Sequence, residues 1–225
     1  MKRIFRFSFS LCLVLLPLVS YARQEADTVK AQKSVSLGID ITGPVLYSIN
    51  SSVYNFEGRI DYRLNYKYYI VLEPGFSSYN YEKYNYEYNS RGIFLRMGTD
   101  ISLLAPVASK INHFAGIGLR YGLSVFNQET PYISLENYWG EHTTSVEKNS
   151  VHSHFLELQG GVRTEVFKNV LVGWAVKLRA LVYSSGKNRT KAVYIPGMGG
   201  TDKFLSPSVS YYIIYRFPLG KVSAE

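Results

Sequence analysis

The sequence predicts an all-β fold, an eight-stranded antiparallel up-and-down transmembrane β-barrel, and three observations carry that prediction. Eight long runs alternate apolar with polar residues. The connections between them alternate between short and long. The apolar faces together hold more bulk than a narrow barrel can enclose.

The chain opens with Lys2, Arg3 and Arg6 ahead of an apolar stretch from Phe7 to Val19 and the small residues Ser20 and Ala22. This is the composition of an export signal, with cleavage expected after Ala22. Residues 1–22 are assigned to that signal, 23–33 to a short periplasmic segment, 34–218 to the barrel and 219–225 to a C-terminal tail. Cys12, the one cysteine, leaves with the signal, so the mature part is expected to hold no thiol and no disulfide. Three of the 25 Lys and Arg lie in the signal, which leaves 22 against 17 Asp and Glu. So mild a basic balance does not point to nucleic acid. No later stretch supplies the 18 apolar residues of a membrane helix, so a crossing would be made by strands.

The first run, Ser34 to Thr42, places Val35, Leu37, Ile39 and Ile41 on one face. The second, Asn55 to Leu64, sets Phe56, Ile60, Tyr62 and Leu64 against Glu57, Arg59, Asp61 and Arg63. The third runs from Tyr69 to Ser77 with Ile70, Leu72 and Phe76 on one side, and the fourth, Gly92 to Leu103, opposes Ile93, Leu95 and Met97 to Arg96, Gly98 and Asp100. The fifth, His113 to Val125, sets Ile117, Leu119, Tyr121 and Leu123 against Gly118, Arg120 and Gly122. In the sixth, Val151 to Glu165, Leu156, Leu158 and Val162 oppose Glu157, Gly161 and Arg163. The seventh, Leu171 to Tyr183, has Val172, Trp174, Val176 and Leu178 opposite Lys177 and Arg179. In the last, Val209, Tyr211, Ile213, Tyr215 and Phe217 alternate with Ser208, Ser210, Tyr212, Ile214 and Arg216. Asn65–Lys67, Leu104–Asn112 and Val166–Val170 are the short connections; Ser78–Arg91, Phe126–Ser150 and Ser184–Phe204 are the long loops, with Gly43–Tyr54 the smallest loop on that side.

Bulk decides which face is inside. The runs carry roughly 34 large apolar side chains on one face, whereas about 12 fill a comparable barrel core, so in a closed barrel they must point outward. A periplasmic β-sandwich, which hides its apolar set between two sheets, is the soluble competitor; the run lengths and the loop asymmetry favour the barrel. The opposite face carries the acids Asp40, Glu57, Asp61, Glu73, Asp100, Glu157 and Glu165 and the bases Arg59, Arg63, Arg96, Arg120, Arg163, Lys177, Arg179 and Arg216. So nearly balanced a set suits a narrow interior in which each ion finds a partner. Facing those bases to lipid would cost about 2–4 kcal/mol each near the midplane.

Ser210, Tyr212, Tyr215 and Phe217 are spaced like the last-strand insertion signal of bacterial outer-membrane barrels, with Tyr212 at the glycine position. Tyr138-Trp139-Gly140, Phe155-Leu156-Glu157-Leu158, Val172-Gly173-Trp174, Tyr194-Ile195-Pro196-Gly197 and Tyr215-Arg216-Phe217-Pro218 resemble an uncharacterised family of Bacteroidetes outer-membrane barrel proteins, domain of unknown function 6048. The resemblance implies an outer-membrane location and this fold, and supplies neither an activity nor site residues. Asp27-Thr28-Val29 resembles the short O-glycosylation motif of exported proteins in that phylum.

Several groups invite a functional reading. Tyr79, Tyr81, Tyr84, Tyr86 and Tyr88 alternate with Asn and Glu, the chemistry of a stacking platform for sugars; Tyr84, Tyr86, Tyr88 and Trp139 are its candidate residues. The plainer and preferred reading is a hairpin running beyond the bilayer with its aromatic girdle. His152 and His154 share a strand face near Glu141, His142 and Glu147, a weak candidate for metal, with polar barrel-rim residues as the plainer account. The same histidines beside Ser153 invite comparison with barrel lipid hydrolases, although sequence neighbours on a strand face opposite sides. Lys187, Arg189, Lys191 and Lys203 surround Gly197, Gly199 and Gly200, as cations to meet lipopolysaccharide phosphates around turn glycines. No catalytic residue and no cofactor is assigned. The leading expectation is a non-enzymatic outer-membrane barrel, structural or binding through its long loops, with lipid, lipopolysaccharide, a glycan or a protein as partner. A membrane-embedded lipid-modifying hydrolase and a subunit of an envelope complex are the alternatives.

Overall fold

The structure, a computed structural model, describes residues 33–49, 51–104, 112–137, 140–185 and 191–219, with the side chains of 135–137 and 141 left aside. The signal segment, Asp27-Thr28-Val29, Trp139, Lys187, Arg189 and tail residues 220–225 lie outside the described residues. Eight antiparallel strands close on themselves in the order β1-β10-β7-β6-β5-β4-β3-β2. They are β1 (Ser34–Asp40), β2 (Val53–Arg63), β3 (Tyr68–Lys83), β4 (Tyr86–Ser102), β5 (Phe114–Asn137), β6 (Gly140–Phe167), β7 (Val170–Ser185) and β10 (Leu205–Pro218). Between β1 and β2 lies a two-turn helix, α1 (Thr42–Ile49), and between β7 and β10 a miniature hairpin, β8 (Tyr194–Ile195) with β9 (Gly199–Gly200). No helix among the described residues is long and apolar enough to cross a membrane.

The alternation sets the wall as expected. Leu37, Ile60, Ile70, Leu119, Leu158 and Trp174 are among the many large apolar side chains left exposed on the outside. Glycines on the inner wall make room for what lies within: a Cβ at Gly75 would overlap the Phe94 ring, and one at Gly122 the Phe155 ring. On the outer wall Gly58 faces the Pro74 ring, while Gly160 has nothing near it.

Turns at one end are tight for local reasons. Asn65 Oδ1 accepts from Lys67 N and Tyr68 N at 2.9 and 2.8 Å, closing an Asx turn. Asn169, at φ 67°, takes the left-handed position of the β6–β7 turn.

At the other end Ser78–Arg91 is the extended hairpin preferred from sequence, β3 and β4 meeting through Tyr84 and Asn85 alone, whereas the loop expected over Phe126–Ser150 is corrected: most of it is hairpin too, β5 and β6 running to 24 and 28 residues with two register shifts. In the β3–β4 extension the outward positions turn polar, Ser78, Asn80, Glu82, Glu87 and Asn89, while backbone pairing continues. Gly43–Tyr54 is likewise largely helix. Asp40 Oδ1 accepts from Thr42 N at 2.8 Å at its start, and Pro44 sits in the first turn, where a missing N–H costs nothing.

Candidate functional site in the lumen

The lumen is filled in two layers. In the lower one, ions from six strands meet. Arg59 (β2) donates to Asp61 at 3.0 Å, to Glu73 at 2.7 Å and to Asp100 at 2.7 Å. Arg96 (β4) bonds Glu57, reaches Glu73 at 3.2 Å and Glu157 at 2.9 Å. Arg120 bonds Asp100 at 2.9 Å and lies 3.3 Å from Glu73. Arg163 bonds Asp61 and Asp100, Lys177 bonds Glu57, and Arg179 bonds Glu157 at 2.7 Å. All of these side chains are buried. Aromatic faces support the cations further: Arg163 stands 3.9 Å over Phe114, and Arg59 and Lys177 flank Tyr212 at 5.3 and 5.2 Å. Tyr212 also donates to Glu57, so the residue at the glycine position of the last strand becomes part of the interior.

Arg63 and Arg216 stand apart from this knot, towards the short-turn end. Arg63 lies 5.7 Å over Tyr69 and bonds the Asn65 carbonyl. Arg216 holds Asn112 by two hydrogen bonds and lies 3.8 Å from Glu165.

The upper layer is a loop folded back into the barrel. Ile195, Pro196, Gly197 and Met198 form a turn closed by Met198 N to Ile195 O at 3.0 Å, with proline second and Gly197 third at φ 78°. A side chain at Gly197 would be strained and would also strike Phe94. Ile195, Met198 and Ala192 pack against Phe126, Val151 and Phe155 as one buried apolar cluster. Arg96 donates to the Gly197 carbonyl and Arg179 to that of Met198, which ties the plug to the ions below. From the wall, Ser90 bonds Tyr194 O at 3.1 Å, Ser77 shares a 3.0 Å bond with the Tyr194 hydroxyl, and Tyr79 stacks on Tyr194 at 4.7 Å. Burial pushes the Tyr194 phenol above the usual tyrosine range. Lys191 and Lys203 remain exposed at the ends of the plug.

The candidate tyrosines do not form one platform. Tyr84 is 97% exposed at the hairpin tip, whereas Tyr88 is 3% exposed, donating to Gln128 and accepting from the Val193 and Tyr194 amides. Tyr79, Tyr81, Tyr86 and Tyr88 share the inner face in a ladder of ring contacts that ends on Tyr194. An outward aromatic girdle is therefore the wrong description of these rings. They line the mouth, because their parity follows Ser77 and Ser90, which point inward.

His152 and His154 face outward, His154 Nδ1 sharing a 2.6 Å bond with the Tyr121 hydroxyl. Ser153 points into the barrel and bonds Ser184 at 2.7 Å, so it does not meet either histidine. Among the described residues no cluster of three His, Cys, Asp or Glu has metal-binding geometry. What sequence reasoning missed is the plug; two large apolar residues, Ile195 and Met198, within a glycine-rich loop were the available signal.

Fold and lumen define a class: a closed eight-stranded antiparallel ring, apolar outside, with an ion-paired and plugged interior. The chain belongs to the family described as Domain of unknown function (DUF6048), whose model matches residues 3–222. Among solved structures it is similar to the crystal structure of Acinetobacter baumannii CarO, at 13% identity and a TM-score of 0.38, over 87% of this chain and 100% of that one. No curated protein matches it.

Proposed function

We propose that the protein is a bacterial outer-membrane barrel that conducts nothing and catalyses nothing, and that it acts as a structural or binding element through its projecting hairpins. One observation carries this reading: large apolar side chains crowd the outside of the wall while the buried ions pair across the inside. In water that arrangement is inverted; in a bilayer it is the stable one. The plug and the ion knot fill the lumen at two levels, in keeping with the filled interior of an eight-stranded barrel, and this supports the closed reading. The hairpins β3–β4 and β5–β6 would carry contacts with lipopolysaccharide, glycans or protein partners beyond the membrane.

The full mature chain, folded in detergent and mixed with lipid vesicles, should float with them and show no conductance steps in a planar bilayer. A chain that stays monodisperse in plain buffer without any amphiphile overturns the membrane reading. Stepwise conductance overturns the closed one.

A further inference from the structure

The wall is incomplete on one side. β1 ends at Asp40, which pairs with Glu57 of β2 and Tyr212 of β10. Above that level β2 continues to Val53 and β10 reaches back to Leu205, each paired as a strand with its far neighbour, β3 or β7. A strand is missing between them at this height, a width of two strand spacings, roughly 10 Å, in a regular sheet. Helix α1 lies beside this gap. A Cβ at Gly43 would overlap the Asn55 carbonyl, so the helix backbone is seated directly on β2. On the other side Ile41 N donates to Tyr211 O at 2.9 Å and Tyr211 N to Thr42 Oγ1 at 2.7 Å.

A cavity of about 400 Å³ is lined by residues from both edges, from α1 and from the plug, a volume in the range of small-molecule sites. Exposed Leu46, Ile49, Pro207 and Val209 form its rim. Asn55, Ser206 and Ser208, on the inner face, and the plug glycines Gly199 and Gly200 line its deeper part. Asn55 Oδ1 and Ser208 Oγ are buried there without a protein hydrogen-bond partner, a costly state unless something else supplies the bond.

We propose that this cleft binds an acyl amphiphile with an uncharged polar head, the head among Asn55, Ser206 and Ser208 and the chain passing out between β2 and β10 into the bilayer. The proposal rests on the membrane reading above. Height supports it: counting from Phe217 at the short-turn end of β10, the 9–11 residues that cross the hydrocarbon end near Pro207 and Val209, so the gap opens on the far leaflet. Charge selects the head. Asp40 and Glu57 also line the cavity, Glu57 already held by Arg96 and Lys177, while Arg179, the cation lining it among the described residues, is engaged by Glu157 and the Met198 carbonyl. An anionic head would meet the Asp40 carboxylate with no free cation among the described lining residues to offset it. A hydroxyl or amide can give Asn55 Oδ1 the proton it lacks, and an ester carbonyl can accept from Ser208.

The test uses the mature chain in phosphatidylcholine vesicles with either of two photolabels, a monoacylglycerol carrying a diazirine beside its ester and the free fatty acid carrying it at the same carbon. Adducts are mapped by mass spectrometry. The monoacylglycerol should mark inward positions such as Asn55, Ser208 and Met198, which lipid around the wall does not reach, and the free acid should mark them weakly. Ser208→Trp, or Asn55→Trp from the facing strand, should abolish inward adducts while outward ones at Leu119 and Leu158 persist; the wild-type map decides alone if neither variant folds. Adducts confined to outward positions overturn the cleft proposal and leave the membrane reading intact. Equal inward labelling by the free acid overturns the uncharged head. Failure to float with the vesicles removes both readings at once.

Discussion

The lower and upper halves of the lumen are filled by opposite means. Below, wall side chains reach across the barrel and neutralise one another, Arg96 alone touching Glu57, Glu73 and Glu157 from three other strands. Above, the wall contributes apolar surface, Phe126, Val151 and Phe155, and a separate piece of chain comes in to cover it. The lower half is as rigid as the ring that carries it. The upper half depends on a separate piece of chain, held by one apolar cluster and a handful of hydrogen bonds. Closure of the barrel and closure of its mouth therefore rest on different contacts.

The largest effect that would break this contrast is in the ion knot. Arg96→Ala removes the cation shared by Glu57, Glu73 and Glu157 and leaves the buried acids short of positive charge, with Lys177 left to hold Glu57 and Arg179 to hold Glu157, and should cost about 3–5 kcal/mol of unfolding free energy. Urea titration of the protein in lipid vesicles measures it; a loss below about 1 kcal/mol, the scale of an exposed pair, would mean that water reaches the knot. Next comes Gly197→Val, which forces a β-branched side chain into a left-handed position against Phe94. The expected outcome is release of the plug with the ring intact, read as new protease cuts between Ser184 and Phe204 and an unchanged β-sheet spectrum. Simultaneous loss of the sheet would show that the two halves fold as one unit.

The smallest effect sharpens the comparison. Ser77→Ala removes one bond to Tyr194 and should loosen the plug by about 0.5–1.5 kcal/mol, seen as faster amide exchange in residues 192–200 only. Alkali acts on the same point. Because the folded state holds the Tyr194 proton more tightly than the unfolded chain does, the plug is unaffected below about pH 10 and weakens as pH rises from there through the raised value. In Tyr194→Phe that alkaline loosening should shrink.

Legibility from sequence divides along the same line. Glu57, Arg59, Asp61 and Arg63 could be placed inside from period two together with the bulk of the opposite face, since a closed ring leaves each side chain only two directions. The same parity puts Tyr79, Tyr81, Tyr86 and Tyr88 inward, but the aromatic-girdle reading set them on the opposite face, and a girdle was the wrong guide above the apolar band. Ile195 and Met198 offered no periodicity to read. Nor did Gly43, whose role is a close approach to a strand edge twelve residues away.

Alternation and side-chain volume by themselves determined the ring, its greasy exterior and the charges it encloses, because both are local quantities that any closed sheet must honour. Where the wall stops short beside α1, which loop turns back into the mouth and which tyrosines it meets were decided only in three dimensions. Those features depend on contacts between segments as far apart as Ser77 and Tyr194, and no periodic pattern records such a distance.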